Sequence, residues 1–559
     1  MKEEIKKIIK DILAEMKVST DFIVEIPGDL SHGEYSTNIA LALSKELSDS
    51  PSSIADTIIE KLNQKDLKKF SKIEKAGPGF INFYLSGTEI QNKIQKPVFE
   101  TNILKGQKIL LEFTDPNLFK QFHIGHLMSN TIGESLSRIH EANGAEVKRL
   151  CYTSDIGPNI AKAVWGMIQH KAFFPQDQDS LNDKVKFLNE SYVYGNVQSK
   201  ENTEYEKEIL EINKELFGKS SIELQTYYLK GKKWSLESFD KMYDFLGTKF
   251  DKYYFESETS SLGKIIVTEN IGKVFKESEG AVVYKGEKKG LHTRVFINSE
   301  GLPTYEAKDL GLAVVKSKDF EFDRSIILTG NEQKEYFKVM LSALGEIYQE
   351  IADKTKSMTH GLMKIDGKKT SSREGKSVTA EDLVAQVKEL VEEKIKERDI
   401  DIETRDEIKD KVSLSAIKYS ILKQSVGKDI EFNFDKSISF EGDSGPYLQY
   451  AYTRAKSVLE KAPDFTKATS WQGWETVDLE RLLIQFEDIL EKALLDLAPQ
   501  HLVTYLTKLA SEFNSFYANT RILDEDTDNR EYKIQITKTV MQTLERGLNI
   551  LGISVPKKM

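Results

Sequence analysis

Glu112-Phe113-Thr114-Asp115-Pro116-Asn117-Leu118-Phe119-Lys120-Gln121-Phe122-His123-Ile124-Gly125-His126-Leu127 is the stretch on which the reading of the fold turns. It follows the apolar run Ile109-Leu110-Leu111, so a buried strand is expected to hand over here to a helix. Residues i and i+3 share a helix face, so His123 and His126 point the same way. They do so from a helix start, whose free amides and dipole attract anions. Gly125 omits a side chain where a flat ring would need to approach closely. The combination suits a nucleotide, with a base over Gly125 and phosphates near the imidazoles. A His-x-x-His pair is also half of a metal site. That reading needs further ligands at suitable spacing, and one cysteine and eight histidines offer no second ligand pair nearby.

A second basic segment lies downstream. Gly367-Lys368-Lys369-Thr370-Ser371-Ser372-Arg373-Glu374-Gly375-Lys376 is hydroxyl-rich and bounded by glycines, the composition of a mobile phosphate clamp or of a solvated loop. Between the two, Tyr305-Glu306-Ala307-Lys308-Asp309 puts Tyr305 and Asp309 four apart on one helix face. A phenol beside a carboxylate makes a receptor for a guanidinium, which takes a bidentate acceptor and a flat stacking neighbour. Glu112 is a candidate second carboxylate across the same pocket.

The bulk properties set limits. At 559 residues the chain is too long for one core. No apolar run reaches the roughly 20 residues that span a bilayer, so no membrane association is expected. The amphipathic start, with Ile5, Ile8, Ile9, Ile12 and Leu13 on one face, reads as a docked helix rather than a targeting segment. Cys151 is the only cysteine, which fits a reducing cytoplasm and suggests a small buried side chain. The net charge of −10 argues against polyanion binding over the whole surface, though not against a local basic groove for RNA.

Three sections follow from composition. Residues 1–90 read as a small α+β module. Residues 105–385 mix β-branched runs (Val147-Lys148-Arg149-Leu150, Val295-Phe296-Ile297, Ser325-Ile326-Ile327-Leu328) with helical stretches, which predicts a mainly parallel, Rossmann-like sheet with a polar helical insertion around 170–255. Residues 390–559 are nearly all helical in pattern. The expected class is therefore multidomain α/β.

With its context, the His123–His126 stretch resembles the HIGH signature of class I aminoacyl-tRNA synthetases, and Glu112, Asn117 and Lys120 resemble the version found in arginyl-tRNA synthetases. The basic decamer is similar to the KMSKS loop, with Lys369 at the first lysine and Ser372 where a second lysine is usual; Lys120 stands where many arginyl enzymes carry that charge. Ser439-Phe440-Glu441-Gly442-Asp443-Ser444-Gly445-Pro446-Tyr447-Leu448-Gln449-Tyr450-Ala451 and Leu509-Ala510-Ser511-Glu512-Phe513-Asn514-Ser515-Phe516-Tyr517-Ala518-Asn519 resemble the helical anticodon-binding domain of the same family, and the Leu551–Met559 ending is similar to the way its chains usually stop.

The resemblance implies an arginine–tRNA ligase acting on L-arginine, ATP and tRNA(Arg), with Mg²⁺ accompanying ATP, no zinc, and a monomeric state. It implies that His123 and His126 stabilise the α-phosphate, while Lys369 and Lys120 stabilise the departing phosphates. Gly125, Ser371, Ser372, Arg373 and Gln333 would complete the ATP site. Glu112, Asn117, Tyr305 and Asp309 would hold arginine. In the first module, Tyr35, Asn38 and Phe83, read as exposed, are candidates for contact with tRNA bases. The resemblance also implies that activation waits for tRNA. Asp115, Met128, Asn159 and Glu374 depart from common family residues. A class I synthetase for another amino acid and a non-catalytic tRNA-binding relative are the alternatives. Tyr305 with Asp309 argues against an anionic substrate, and the retained His123, Gly125, His126, Lys369 and Arg373 argue for activity.

Overall fold

The computed structural model describes residues 1–218, 221–365, 378–397, 401–462, 474–524 and 529–559, and the backbone of 368–369. At its centre lies a five-stranded sheet in the order Thr355–His360, Arg324–Gly330, Lys108–Glu112, Glu146–Thr153, Lys252–Phe255. Every pairing in it is parallel. In chain order the strands run 3-2-1-4-5 across the sheet, the doubly wound order. The winding reverses between Lys108–Glu112 and Arg324–Gly330, and ligands of such sheets bind beyond the strand carboxyl ends at that reversal. The His123–His126 stretch leaves the first of these strands and Gln333 follows the other.

Burial on both faces explains the apolar strands: Ile109, Leu110 and Leu111 are all core residues. Cys151 is buried in the neighbouring strand, as expected. Helices Pro158–Gln169, Leu181–Glu201, Thr203–Phe217 and Ile222–Leu246 lie between the second and third strands of the sheet. Asp155 fastens the last of these to the strand ends. It accepts from Tyr228 Oη at 2.9 Å, Lys232 Nζ at 2.8 Å and Ser257 Oγ at 2.7 Å.

Val295-Phe296-Ile297 corrects one expectation. It belongs to a separate antiparallel sheet of Lys276–Ser278, Ala281–Tyr284 and Arg294–Ile297, not to the parallel one. A short β-branched run does not reveal which partner it will pair with. This small sheet supports the start of the helix Tyr305–Asp319, where Thr304 Oγ1 donates to the Val295 carbonyl at 2.7 Å.

The first module packs helices Lys2–Glu15, Ile39–Leu47 and Pro51–Asn63 on a four-stranded antiparallel sheet. Ile5, Ile9, Ile12 and Leu13 of the first helix face inward. The strand Phe80–Leu85 buries Ile81, Asn82, Phe83 and Leu85. The C-terminal part is helical, from Ala380–Ile395 through Arg530–Ile550, apart from the short strand Ile430–Phe432, which pairs in parallel with Met363–Ile365. No helix among the described residues is long and apolar enough to cross a membrane.

Candidate active site

His123 is the N-cap of the helix Ile124–Ala142. Its Nδ1 accepts the Gly125 amide at 3.1 Å, and the His123 amide donates to Nδ1 of His126 at 3.2 Å. The reciprocal cap satisfies two helix-start amides and stacks the rings, centroids 3.5 Å apart and planes 22° from parallel. Burial and then the Lys120 charge hold His123 down at about 4. Burial and then His123 push His126 well below the ordinary imidazole value. Both rings are therefore neutral at physiological pH. With Nδ1 used as an acceptor, each carries its proton on Nε2, so two N–H donors share one face.

Gly125 makes room here for a ring of the protein itself. A Cβ at this position would lie 2.9 Å from Cε1 of His123. The flat ring that approaches Gly125 is thus His123's own. Just upstream, Thr114, Asp115 and Phe119 adopt φ of 82°, 44° and 63°. Three non-glycine residues in the left-handed region within one loop mark strain imposed by the surrounding packing. Asp115 Oδ1 accepts the Tyr152 amide at 2.7 Å, and the Leu118 amide donates to the Ser154 carbonyl at 3.0 Å. Lys120 Nζ sits 4.2 Å from the centroid of the Tyr192 ring, which brings the helical insertion to the edge of the site.

The first signature meets the chain just beyond the second through the backbone. His123 bridges to Thr379, and the Ala380 amide donates to the Phe122 carbonyl at 2.9 Å. The backbone of Lys369 pairs with Lys364. The Lys369 side chain, Ser371, Ser372 and Arg373 lie outside the described residues. Gln333 is exposed at the end of the strand Arg324–Gly330, on the same edge as His123.

Tyr305 and Asp309 do share one helix. Tyr305 is 47% exposed and its ring lies 4.8 Å from Lys308 Nζ. Asp309 faces inward and accepts from the Tyr336 hydroxyl. Burial raises its carboxyl to about 8, with the charges of Glu112 and Glu256 adding to the effect. Glu112 is a correction. It is buried and paired with Lys316 at 2.6 Å, so it is not a free second carboxylate. Glu256 is likewise paired, with Lys308, at 2.5 Å. Among the described residues no Lys or Arg pairs with Asp309. Asn117 is half-buried and its backbone bridges to Ser154.

Sequence reasoning missed Lys316, Lys308 and Tyr336. Lysines on a helix read as solvated, and only the neighbouring strand and helix show them to be buried. It also missed His360, buried at the end of the edge strand, whose Nδ1 lies 2.8 Å from the Gly361 carbonyl. Tyr35 and Phe83 are corrections as well. Phe83 is core, and Tyr35 is buried with its hydroxyl donating to Asp488 at 2.8 Å. Arg481 reinforces that junction by pairing with Glu34 at 2.5 Å. These residues dock the first module on the C-terminal helices, so neither ring is free to stack on a base. Asn38 is half-buried, and its Oδ1 accepts the Ile23 amide at 2.9 Å.

In the C-terminal helices, Gly445–Glu460 and Gln500–Asn519 form a cleft of about 820 Å³ with Lys557, Lys558 and Met559. The Arg454 guanidinium lies 4.6 Å from the Tyr450 ring and 4.9 Å from the Tyr517 ring, and donates to Asn514 at 2.6 Å. Lys456 and Lys461 line the same cleft.

Three family models match the chain: the arginyl tRNA synthetase N terminal domain over residues 2–85, the class I (R) tRNA synthetase catalytic domain over 89–434, and the DALR anticodon binding domain over 448–559. Fold and site are those of a class I aminoacyl-tRNA synthetase. An arginine–tRNA ligase of Lactobacillus delbrueckii subsp. bulgaricus is 30% identical, with 96% of each chain covered. One of Borreliella burgdorferi is 31% identical over 100% of this chain and 99% of its own. The arginyl-tRNA synthetase structure of Thermus thermophilus has the same fold, with a TM-score of 0.84 at 23% identity and complete coverage of both chains. The chain belongs to the arginyl-tRNA synthetase family, whose members are ATP-dependent ligases that join arginine to tRNA.

Proposed function

We propose the following division of labour for that activity. The guanidinium of L-arginine enters beside Tyr305 and pairs with Asp309, while Asn117 holds the α-amino or carboxylate end. ATP binds as its Mg²⁺ complex, the ion being held mainly by phosphates and water. A carboxylate oxygen of arginine attacks the α-phosphorus and pyrophosphate leaves with the electron pair of the broken P–O bond. The Nε2–H groups of His123 and His126 donate to the α-phosphate oxygens. Lys120 and Lys369, with Ser371, Ser372 and Arg373, meet the charge that moves onto pyrophosphate, and Gln333 borders the nucleotide. Donors placed before charge develops favour the transition state over the ground state. The 2′-hydroxyl of the terminal adenosine of tRNA(Arg) then attacks the acyl carbon, and AMP departs.

The observation that supports arginine as the substrate is the carboxyl of Asp309. It is half-buried and lacks a cationic partner among the described residues, while Glu112 and Glu256, whose charges help to raise it, each have one. A guanidinium supplies the missing charge. Lysine would leave the fork half-paired, which supports rejection by roughly 10⁴–10⁵. The Arg454 cleft, with rings for bases and lysines for phosphates, suits unpaired anticodon bases. The setting that fits is a cytoplasmic monomer. Amino-acid-dependent ATP–pyrophosphate exchange, run over all standard amino acids with and without tRNA, tests the reading. Exchange with arginine alone is expected, and exchange with any other amino acid overturns the assignment of Asp309.

A further inference from the structure

Around Asp309, three elements meet in a closed set of contacts. The Tyr336 hydroxyl, on the helix Lys334–Ile347, donates to Asp309 Oδ2. The Tyr336 ring is buried, with the Phe337 ring centroid 4.9 Å away and the two planes at 86°. The Arg294 guanidinium, from the strand Arg294–Ile297, stands over the Tyr336 ring, its Cζ 5.6 Å from the centroid. Arg294 also pairs with Glu306 at 3.2 Å. Glu306 is buried three residues before Asp309 on the same helix, so the circuit ends on the face where it began.

Core filling does not account for this arrangement. Phenylalanine would fill the same space without a hydroxyl that burial obliges to find a partner. Arg294 is held at a cost, because its Nε is buried with no hydrogen-bond partner among the described residues. What the contacts achieve is orientation. Asp309 Oδ2 is pinned, while Oδ1 has no hydrogen-bond partner among the described residues. A carboxyl pinned at one oxygen has a fixed plane. A guanidinium is flat and forked, so its pairing needs that plane, whereas an ammonium pairs from any side.

We propose that Tyr336 is a positioning residue for arginine: its hydroxyl, steadied by Arg294 over the ring, fixes the plane of the Asp309 carboxyl so that a guanidinium meets it edge to edge. The inference rests on the reading of Asp309 as the arginine receptor. The same hydroxyl stabilises the ionised carboxyl and so opposes the rise that burial imposes on it. Glu112 and Glu256 also act on Asp309, each paired with a lysine, and Asp115, Tyr152 and Tyr305 lie near it. None of these bonds to Tyr336 among the described residues, so removing the hydroxyl acts on Asp309.

The test is equilibrium binding of L-arginine to the full chain from about pH 6.5 to 9.5. It compares wild type, Tyr336→Phe, Arg294→Lys and Asp309→Asn, with ATP binding as the control. Tyr336→Phe should weaken arginine binding at least about tenfold at pH 7. The pH at which its affinity levels off should lie above that of the wild type. Part of the loss should remain where both profiles have levelled, because the carboxyl plane is no longer fixed, and ATP affinity should hold. Arg294→Lys keeps the pair with Glu306 but gives up the flat guanidinium over the ring. It should show a smaller loss of the same form, and it serves if the phenylalanine variant does not fold. Three results overturn the positioning role: wild-type arginine affinity in both variants, a loss that vanishes once both profiles level, or an equal loss for arginine and ATP with an unmoved pH profile. Abolished binding in Asp309→Asn then keeps Asp309 as the receptor. Wild-type arginine affinity in Asp309→Asn overturns the receptor reading, and the role of Tyr336 with it.

Discussion

The amide of His123 donates to Nδ1 of His126 at 3.2 Å, and the two rings stack with centroids 3.5 Å apart. One nitrogen of each ring thus serves the helix start, which leaves the other to donate to a ligand. Structure and chemistry can be separated here. His126→Asn keeps an acceptor where Nδ1 lies and removes the Nε2 donor. It should fold with wild-type stability and lose about 10²–10³ in kcat, the usual loss for one preorganised donor. Circular dichroism melts and single-turnover kinetics check both halves. Because burial keeps His123 neutral above about 4, the kcat profile should show no histidine inflection near pH 6.5.

Asp309 predicts a proton released on arginine binding. Its carboxyl sits at about 8 in the empty protein, against an ordinary value near 3.9. Between those values the folded protein holds a proton that the unfolded chain has lost. The group therefore favours folding at low pH, and that contribution is lost as pH rises through about 8. Arginine must displace the same proton, so its affinity should rise by up to about tenfold per pH unit below 8. Calorimetry in buffers of different ionisation heat should show close to one proton released at pH 7. A flat pH dependence would sink the assignment. Asp309→Asn should stabilise the empty enzyme at pH 8 and abolish arginine binding.

The Glu112–Lys316 pair makes an opposite prediction. Both side chains are at most 4% exposed. Glu112→Gln leaves a buried ammonium unpaired, which costs about 3–5 kcal/mol. The double change Glu112→Gln with Lys316→Met should recover most of that loss, as read by urea denaturation. If Glu112→Gln instead leaves stability alone and raises only the KM for arginine, Glu112 reads the substrate after all.

Arg454→Ala should act on tRNA alone. Losing a stacked cation and the ring it orders is worth about 1–3 kcal/mol per base. The KM for tRNA should rise roughly 5- to 150-fold while those for arginine and ATP hold. A rise in the ATP KM would place the cleft's effect elsewhere.

Much of the site was legible because its chemistry is local. His123, Gly125 and His126 form a cap within one helical turn, and Tyr305 and Asp309 share a helix face, so spacing alone brings each set together. The parallel sheet was legible for a similar reason. Strands buried on both faces need continuous apolar runs such as Ile109-Leu110-Leu111. Spacing could not say that Phe83 is core or that Val295-Phe296-Ile297 pairs in a separate antiparallel sheet, since an apolar or aromatic residue is compatible with either setting.

What stayed hidden depends on partners remote in the chain. Lys316 meets Glu112, Tyr336 meets Asp309, Tyr35 meets Asp488, and Lys418 meets Leu246 and Gly552. A lysine or tyrosine on a helix looks solvated until another element removes its water. Burial then makes a partner obligatory, because an unpaired buried polar group is expensive. Residue order was enough for the class of fold, the two signatures and the placing of Tyr305 and Asp309 on one helix, all of which rest on short-range periodicity. Which buried charges find a partner, and which cations tie the modules together, was decided only by tertiary packing, because desolvation belongs to the assembled molecule and to no segment of it.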